Sequence, residues 1–216
     1  YRHPRSNAGA SPLVDSPGER ILRAVSASVN GGFVPKNELF RLLDAFEHDA
    51  QEKGFADMKG LLAYCRNSAC SIGRILLGMF RVRDKSARAC SDALCTALQL
   101  TNFWQDFSRD IPRGRLCLPL REARGFGVPV QPGKVRADQG FERLLSFLVG
   151  QTRALYEKAD SFPALVPASL ARQVRLTQAG GQLILSRVEK LGRQVLETRP
   201  RLSWTDGPGL LLRAFL

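Results

Sequence analysis

Gln99, Asn102, Asp106 and Asp110 recur at intervals of three and four residues within the stretch Ser91 to Asp110. Successive residues of an α-helix turn by about 100°, so a helix here would carry all four polar groups on one narrow face. Two carboxylates at i and i+4, with an amide one turn earlier, can share oxygen ligands around Mg²⁺, a hard ion that often bridges protein carboxylates to phosphates. Without a cation between them, the two charges repel. An isolated DxxxD spacing is more often a solvated helix face. Here Leu94, Leu98, Leu100, Phe103, Trp104 and Phe107 occupy the other faces, so the helix reads as interior. Carboxylates enclosed in that way need partners, which a metal-diphosphate complex would supply.

Tyr64 is the second group of interest. It lies in a helical pattern with Leu61, Leu62, Cys65, Ile72 and Leu76, and its hydroxyl can hydrogen-bond while its ring stabilises a cation. The plainer alternative is a core tyrosine with one satisfied hydroxyl. Ser68, one turn later, reads as a small residue that permits close helix packing. Arg109, Arg113 and Arg115 follow the acidic stripe closely enough to help neutralise a diphosphate. Asp44, His48 and Asp49 read as a solvated face, because no apolar enclosure is evident around them.

Helices must position these groups. Ser16-Pro17-Gly18-Glu19 has the form of a capping box with proline at the first helical position, followed by Ile21, Leu22, Val25 and Val29 on one face. Pro35 opens a second helix with Leu39, Leu42, Leu43 and Phe46, ending near Gly54, and Asp57 can cap a third. A fourth runs from about Ala87 to Asp110, where Pro112 and Gly114 stop it. Residues 112–137, rich in proline and glycine, read as a mobile connection across the surface or over a site. Helical periodicity returns at Phe141, Leu144, Leu145, Leu148 and Leu155, and again from Leu170 to Val188. With no alternating strand pattern and no fixed repeat, the expected architecture is all-α, a single helical domain over 16–216 around a central cavity, with residues 1–15 a flexible N-terminal segment.

Composition narrows the partners. The chain has 32 Lys and Arg against 20 Asp and Glu, a formal net charge of +12, which favours diphosphates, anionic lipid headgroups or nucleic acid. The basic residues are scattered and no nucleic-acid motif accompanies them, so no nucleic-acid partner is expected. No apolar run approaches the length that spans a bilayer. The five cysteines form no CxxC pair and sit in apolar segments, as expected of buried free thiols in a cytoplasmic protein.

Leu98-Gln-Leu-Thr-Asn-Phe-Trp-Gln-Asp-Phe-Ser-Arg-Asp110, followed by Gly114-Arg-Leu-Cys-Leu-Pro119, resembles the second aspartate-rich motif of squalene and phytoene synthases. The wording Asn-Phe-Trp-Gln-Asp is similar to the bacterial hydroxysqualene synthase branch, where other branches usually read Asn-Ile-Leu-Arg-Asp. Tyr64-Cys-Arg-Asn-Ser-Ala69 with Gly73-Arg74 resembles the family's tyrosine-containing helix, and Gly180-Gly181 with Arg199-Pro200 its C-terminal part.

The resemblance implies an isoprenoid-synthase-like helical fold and a Mg²⁺-dependent reaction on a prenyl or presqualene diphosphate. It implies Tyr64, Asp106 and Asp110 as catalytic residues, Asn102, Asp106 and Asp110 as metal ligands, and Gln99, Asn102, Gln105 and Arg115 as substrate-binding residues. Conversion of presqualene diphosphate to hydroxysqualene in squalene or hopanoid synthesis, without NADPH, is the leading expectation; no nicotinamide fingerprint occurs. Head-to-head condensation of two prenyl diphosphates, or an inactive member serving as a scaffold, are the alternatives. Peripheral association with the inner face of the membrane is expected from the lipid substrate and basic charge.

The sequence departs from the family pattern in three places. No clustered aspartates precede Asp44, so N-terminal helices carrying a first acidic motif are expected to be missing. Gly54-Phe55 stands where the family has an Arg-Tyr pair, and Cys117 where a tyrosine commonly follows Gly-Arg. Asp106 and Asp110 are expected to line one open, largely apolar cavity with Gln99, Asn102 and Tyr64.

Overall fold

The computed structural model describes residues 16–51, 54–131 and 134–215; the flexible segment expected at 1–15 lies outside them. In chain order the α-helices are α1 (Pro17–Asn30), α2 (Lys36–Ala50), α3 (Met58–Met79), α4 (Lys85–Gln105), α5 (Phe107–Asp110), α6 (Leu120–Gly125), α7 (Gln139–Lys158), α8 (Ala168–Leu191) and α9 (Gly207–Phe215). The all-α architecture expected from the periodicity is the one observed.

The local signals act as expected at two helix starts. At α1 the Ser16 amide donates to the Glu19 carboxylate at 2.9 Å and the Glu19 amide donates to Ser16 Oγ at 3.2 Å, the reciprocal capping box. Asp57 caps α3 by accepting from the Gly60 amide at 2.8 Å. Asp84 caps α4 in the same way, through the Ala87 amide at 2.7 Å, which starts that helix two residues earlier than the apolar pattern does.

Helix α4 is the spine of the fold. Leu94, Ala97, Leu100, Phe103 and Trp104 are buried where it packs against α3, α7 and α8. Its polar groups in that core are paired, as burial requires: Trp104 Nε1 donates to Thr152 Oγ1 at 2.9 Å, and the hydroxyls of Thr101 and Tyr156 lie 3.0 Å apart. On α2, Glu38 is only 2 % exposed. Its carboxylate accepts from Ser71 Oγ at 3.1 Å and from Arg74 Nη1 at 3.3 Å, while Arg74 makes a two-pronged contact with Asp92 at 2.9 and 2.7 Å. This network fastens α2, α3 and α4 together.

Two expectations need correction, and one apolar surface stands out. The fourth helix is not continuous to Asp110: it breaks at Asp106 (φ −96°, ψ 8°) and resumes as the single turn α5. Residues 112–137 are more structured than a bare connection, containing α6, a two-residue antiparallel pairing of Val130–Gln131 with Lys134–Val135, and the buried side chains Leu118, Ala123 and Val128. Finally, α1 buries no residue, and Ile21, Leu22, Phe40, Leu43 and Phe46 on the apolar faces of α1 and α2 stay exposed among the described residues. Periodicity reports that a face is apolar, not what covers it.

The two adjacent glycines in the middle of α8 have different surroundings. A Cβ built on Gly181 would lie 2.2 Å from the Tyr156 hydroxyl and 2.6 Å from Leu98, whereas one on Gly180 meets nothing nearer than Leu202 at 3.8 Å. Gly181→Ala should therefore cost about 1–3 kcal/mol through overpacking at the α4–α7–α8 junction, while Gly180→Ala should be neutral or stabilising by up to about 1 kcal/mol. Urea titration of the two variants checks this; equal midpoints would show that the junction yields freely.

Candidate functional site

The break at Asp106 splits the acidic stripe between two environments. Asp106 is half-buried and engaged by Arg199, whose Nε donates to Oδ1 and whose Nη2 lies 3.5 Å from Oδ2. Arg199 follows the helical hairpin of α7 and α8, 93 residues away in sequence. Asp110, one turn on, lines a cavity of about 320 Å³ together with His48, Asp49, Phe55, Phe103, Arg113 and Arg115, among others. Burial pushes the Asp110 carboxyl above the usual carboxylate range; the Asp106 charge adds to that push, and Arg115, Arg113 and Arg109 oppose it.

The expected single cavity is thus not what the fold builds. Asn102 is exposed on a separate open groove of about 670 Å³ between α4 and α8, which it lines with Gln105, Arg199 and Arg201. Gln105 is buried and its Nε2 donates to the Pro200 carbonyl at 2.7 Å, so its amide nitrogen already holds the C-terminal segment in place. Gln99 is half-buried and belongs to the lining of neither space. Tyr64, 8 % exposed, stands behind the Asp110 cavity, its ring centroid 5.2 Å from His48, 5.3 Å from Phe55 and 5.9 Å from Phe103. Two of the three departures from the family pattern, Phe55 and Cys117, fall in the lining of this cavity. Burial pushes the Cys117 thiol up to about 12, so it stays protonated.

Asp49 does not belong to a merely solvated face. The last turn of α2 brings its carboxylate onto Tyr64, whose hydroxyl donates to it with both oxygens at 3.0 Å, and Arg115 Nη2 approaches Oδ1 at 3.5 Å. His48 stacks on Phe55 at 5.2 Å. Sequence reading missed both residues because their partners, Phe55, Tyr64 and Arg115, come from outside α2. One signal pointed there: a tyrosine in an apolar helix needs a hydroxyl partner, and the end of the preceding helix offered an acid.

Among the described residues no group of three or more His, Cys, Asp or Glu side chains is assembled to hold a metal. Asp106 and Asp110 nonetheless suit Mg²⁺ in one mode: the ion commonly takes only one or two protein carboxylates and completes its shell with phosphate oxygens and water. Mutual repulsion and the burial of Asp110 both favour an added positive charge. The donor set fits a phosphate-bridged ion, not a cage made of protein alone.

An all-helical protein that sets Asp49, Asp110 and two arginines around an aromatic-walled cavity is defined by this fold and site. The chain belongs to the squalene/phytoene synthase family, whose model matches residues 7–206. It is 29 % identical over 185 residues to phytoene synthase of Thermus thermophilus, covering 85 % of this chain and 63 % of that protein. It is 28 % identical over 127 residues to hydroxysqualene synthase of Zymomonas mobilis, covering 58 % and 42 %. The crystal structure of squalene synthase HpnC from Alicyclobacillus acidocaldarius superposes with a TM-score of 0.72 at 33 % identity, over 82 % of this chain and 66 % of that one. The chain therefore spans less than two thirds of the length of these curated relatives. Among the described residues no helix is long and apolar enough to cross a membrane.

Proposed function

We propose that this protein acts on an isoprenoid diphosphate, converting presqualene diphosphate to hydroxysqualene with Mg²⁺ and without NADPH. The observation that carries the reading is the Asp110 cavity, where Arg113 and Arg115 stand at a charged rim and Phe55, Phe103 and His48 form aromatic walls. Such a space suits a diphosphate head on a hydrocarbon that ionises to a cation. The Asn102-Phe-Trp-Gln-Asp106 wording favours the hydroxysqualene outcome over other reactions of the family.

Asp106 and Asp110, with Asn102 nearby in sequence, would hold the metal, which supplies charge neutralisation to the departing diphosphate. Arg115 and Arg113 add fixed positive charge at the same mouth. The aromatic walls exclude water from one side of the substrate and offer π-faces to a cation. Arg199 and Gln105 hold the C-terminal segment against α4, which keeps Asp106 in place.

A condensing activity is the second reading, favoured by the longer match to a phytoene synthase than to the hydroxysqualene synthase. Incubation with Mg²⁺ and either presqualene diphosphate or farnesyl diphosphate, followed by mass spectrometry of the lipid extract, separates the two. A C30 alcohol from presqualene diphosphate is the expected product. Presqualene diphosphate formed from farnesyl diphosphate would favour condensation, and failure of both substrates to react or bind would favour an inactive scaffold. The basic surface also fits a peripheral place on anionic membranes, which vesicle sedimentation tests.

A further inference from the structure

Asp49 gives the Tyr64 hydroxyl a direction. A phenol has one proton to donate, and an ionised carboxylate can only accept. With both Asp49 oxygens 3.0 Å from the phenolic oxygen, that proton is committed to Asp49, and the lone pairs of the tyrosine oxygen are what it has left to offer. Burial, the Asp49 charge and the Asp49 hydrogen bond all push the phenol well above its ordinary pKa, so it does not ionise. The ring is wedged among His48, Phe55 and Phe103, which form walls of the Asp110 cavity, so the hydroxyl cannot turn away without repacking them.

We propose that Asp49, which lines the cavity, is a positioning residue that makes Tyr64 a neutral hydrogen-bond acceptor at that edge of the cavity and prevents it from serving as an acid toward the leaving diphosphate. This rests on the functional reading above. A donor aimed at the diphosphate would compete with the arginines for the same oxygens. A neutral, electron-rich oxygen instead favours a cationic carbon or the O–H of an incoming water molecule. The contact of Arg115 with Asp49, at 3.5 Å and half-exposed on both sides, is the weaker arm of the arrangement, since exposed ion pairs contribute little.

Two measurements test the proposal, and the first needs no turnover. In protein labelled with 3-fluorotyrosine, the ¹⁹F resonance assigned to Tyr64 by its loss in Tyr64→Phe should move in Asp49→Ala and much less in Asp49→Asn, whose amide oxygen still accepts. The Tyr156 resonance should not move in either variant, because that hydroxyl bonds to Thr101. An unmoved Tyr64 signal in Asp49→Ala overturns the proposal even if the protein has no activity, whereas absent turnover with a moved signal sinks only the functional reading.

The second measurement is a double-mutant cycle on turnover of presqualene diphosphate. Asp49→Ala and Tyr64→Phe should each lower kcat on the order of tenfold to a hundredfold with KM little changed. Together they should cost no more than about twofold beyond the larger single effect, since one acts through the other. Asp49→Glu should recover part of the loss. Multiplying effects, or a change confined to KM, would show that Asp49 acts on the diphosphate directly and would overturn the proposal. Asp49 lies at the rim with its side chain 41 % exposed, so these variants should keep the wild-type melting temperature; a large fall in melting temperature with kcat unchanged in the folded fraction would assign it a purely structural role.

Discussion

Under the proposed function, Asp110→Asn is expected to lower Mg²⁺-dependent turnover of presqualene diphosphate on the order of 10²–10³-fold while leaving helix content unchanged. The substitution keeps the size of the side chain and removes its charge. A leaving diphosphate develops negative charge as its bond breaks, and preorganised positive charge at that point is worth two to three orders of magnitude in rate. The neutral amide is a far poorer ligand for a hard cation. Because Asp110 is partly buried beside Asp106, the variant also relieves like-charge repulsion, so folding should be unaffected or slightly improved. Asp106→Asn should produce a similar kinetic loss with some loss of stability, since Arg199 then gives up its carboxylate partner. Circular dichroism together with turnover across a Mg²⁺ titration decides the matter: an unchanged Mg²⁺ dependence in both variants would remove these residues from the metal site.

The largest expected effect on stability lies elsewhere, in the network of Glu38 and Arg74. Glu38→Ala should cost about 3 kcal/mol, because it removes a buried partner from Ser71 and Arg74, leaves Arg74 with Asp92 alone and opens a void at an enclosed position, and should lower Tm by on the order of 10 °C for a domain of this size. Glu38 is almost wholly enclosed and meets Ser71 and Arg74, with Arg88 and Arg41 at 3.7 and 3.8 Å. Arg74→Met should cost more than Glu38→Ala, since Arg74 stands between two carboxylates and its loss strands both Glu38 and Asp92. Denaturant titration of the two single variants and the double variant gives the coupling; a change below about 0.5 kcal/mol for Glu38→Ala would mean that water reaches the network. The loss should extend to Asp49 and Tyr64, because the same network sets α2 against α3.

Local signals in the sequence account for the six longer helices, α1 to α4, α7 and α8, and for much of their boundaries, but not for α5, α6 and α9. The capping box at Ser16, the cap at Asp57 and the apolar spacing of α3, α4, α7 and α8 each depend on residues within one or two turns of one another, and the resemblance to a known motif rests on the same short stretches. Which side chains meet depends on how those helices cross. Asp106 and Asp110 share a spacing that promises one face, yet the break after Gln105 and the return of the chain to Arg199 pull Asp106 to one side while Asp110 turns to the Asp49 cavity. Gln105 has the look of a site residue in the motif but spends its amide on Pro200. Asp49 has the look of a solvated acid on α2 but becomes the partner of Tyr64 because α3 packs back against α2. Periodicity and motif are properties of neighbours along the chain, and they are enough to say that this protein is helical and what chemistry its polar residues suit. Pairings across 15, 66 or 93 residues arise only when burial of the apolar faces brings distant helices into register, and those pairings decide which carboxylate faces the cavity and which is already held.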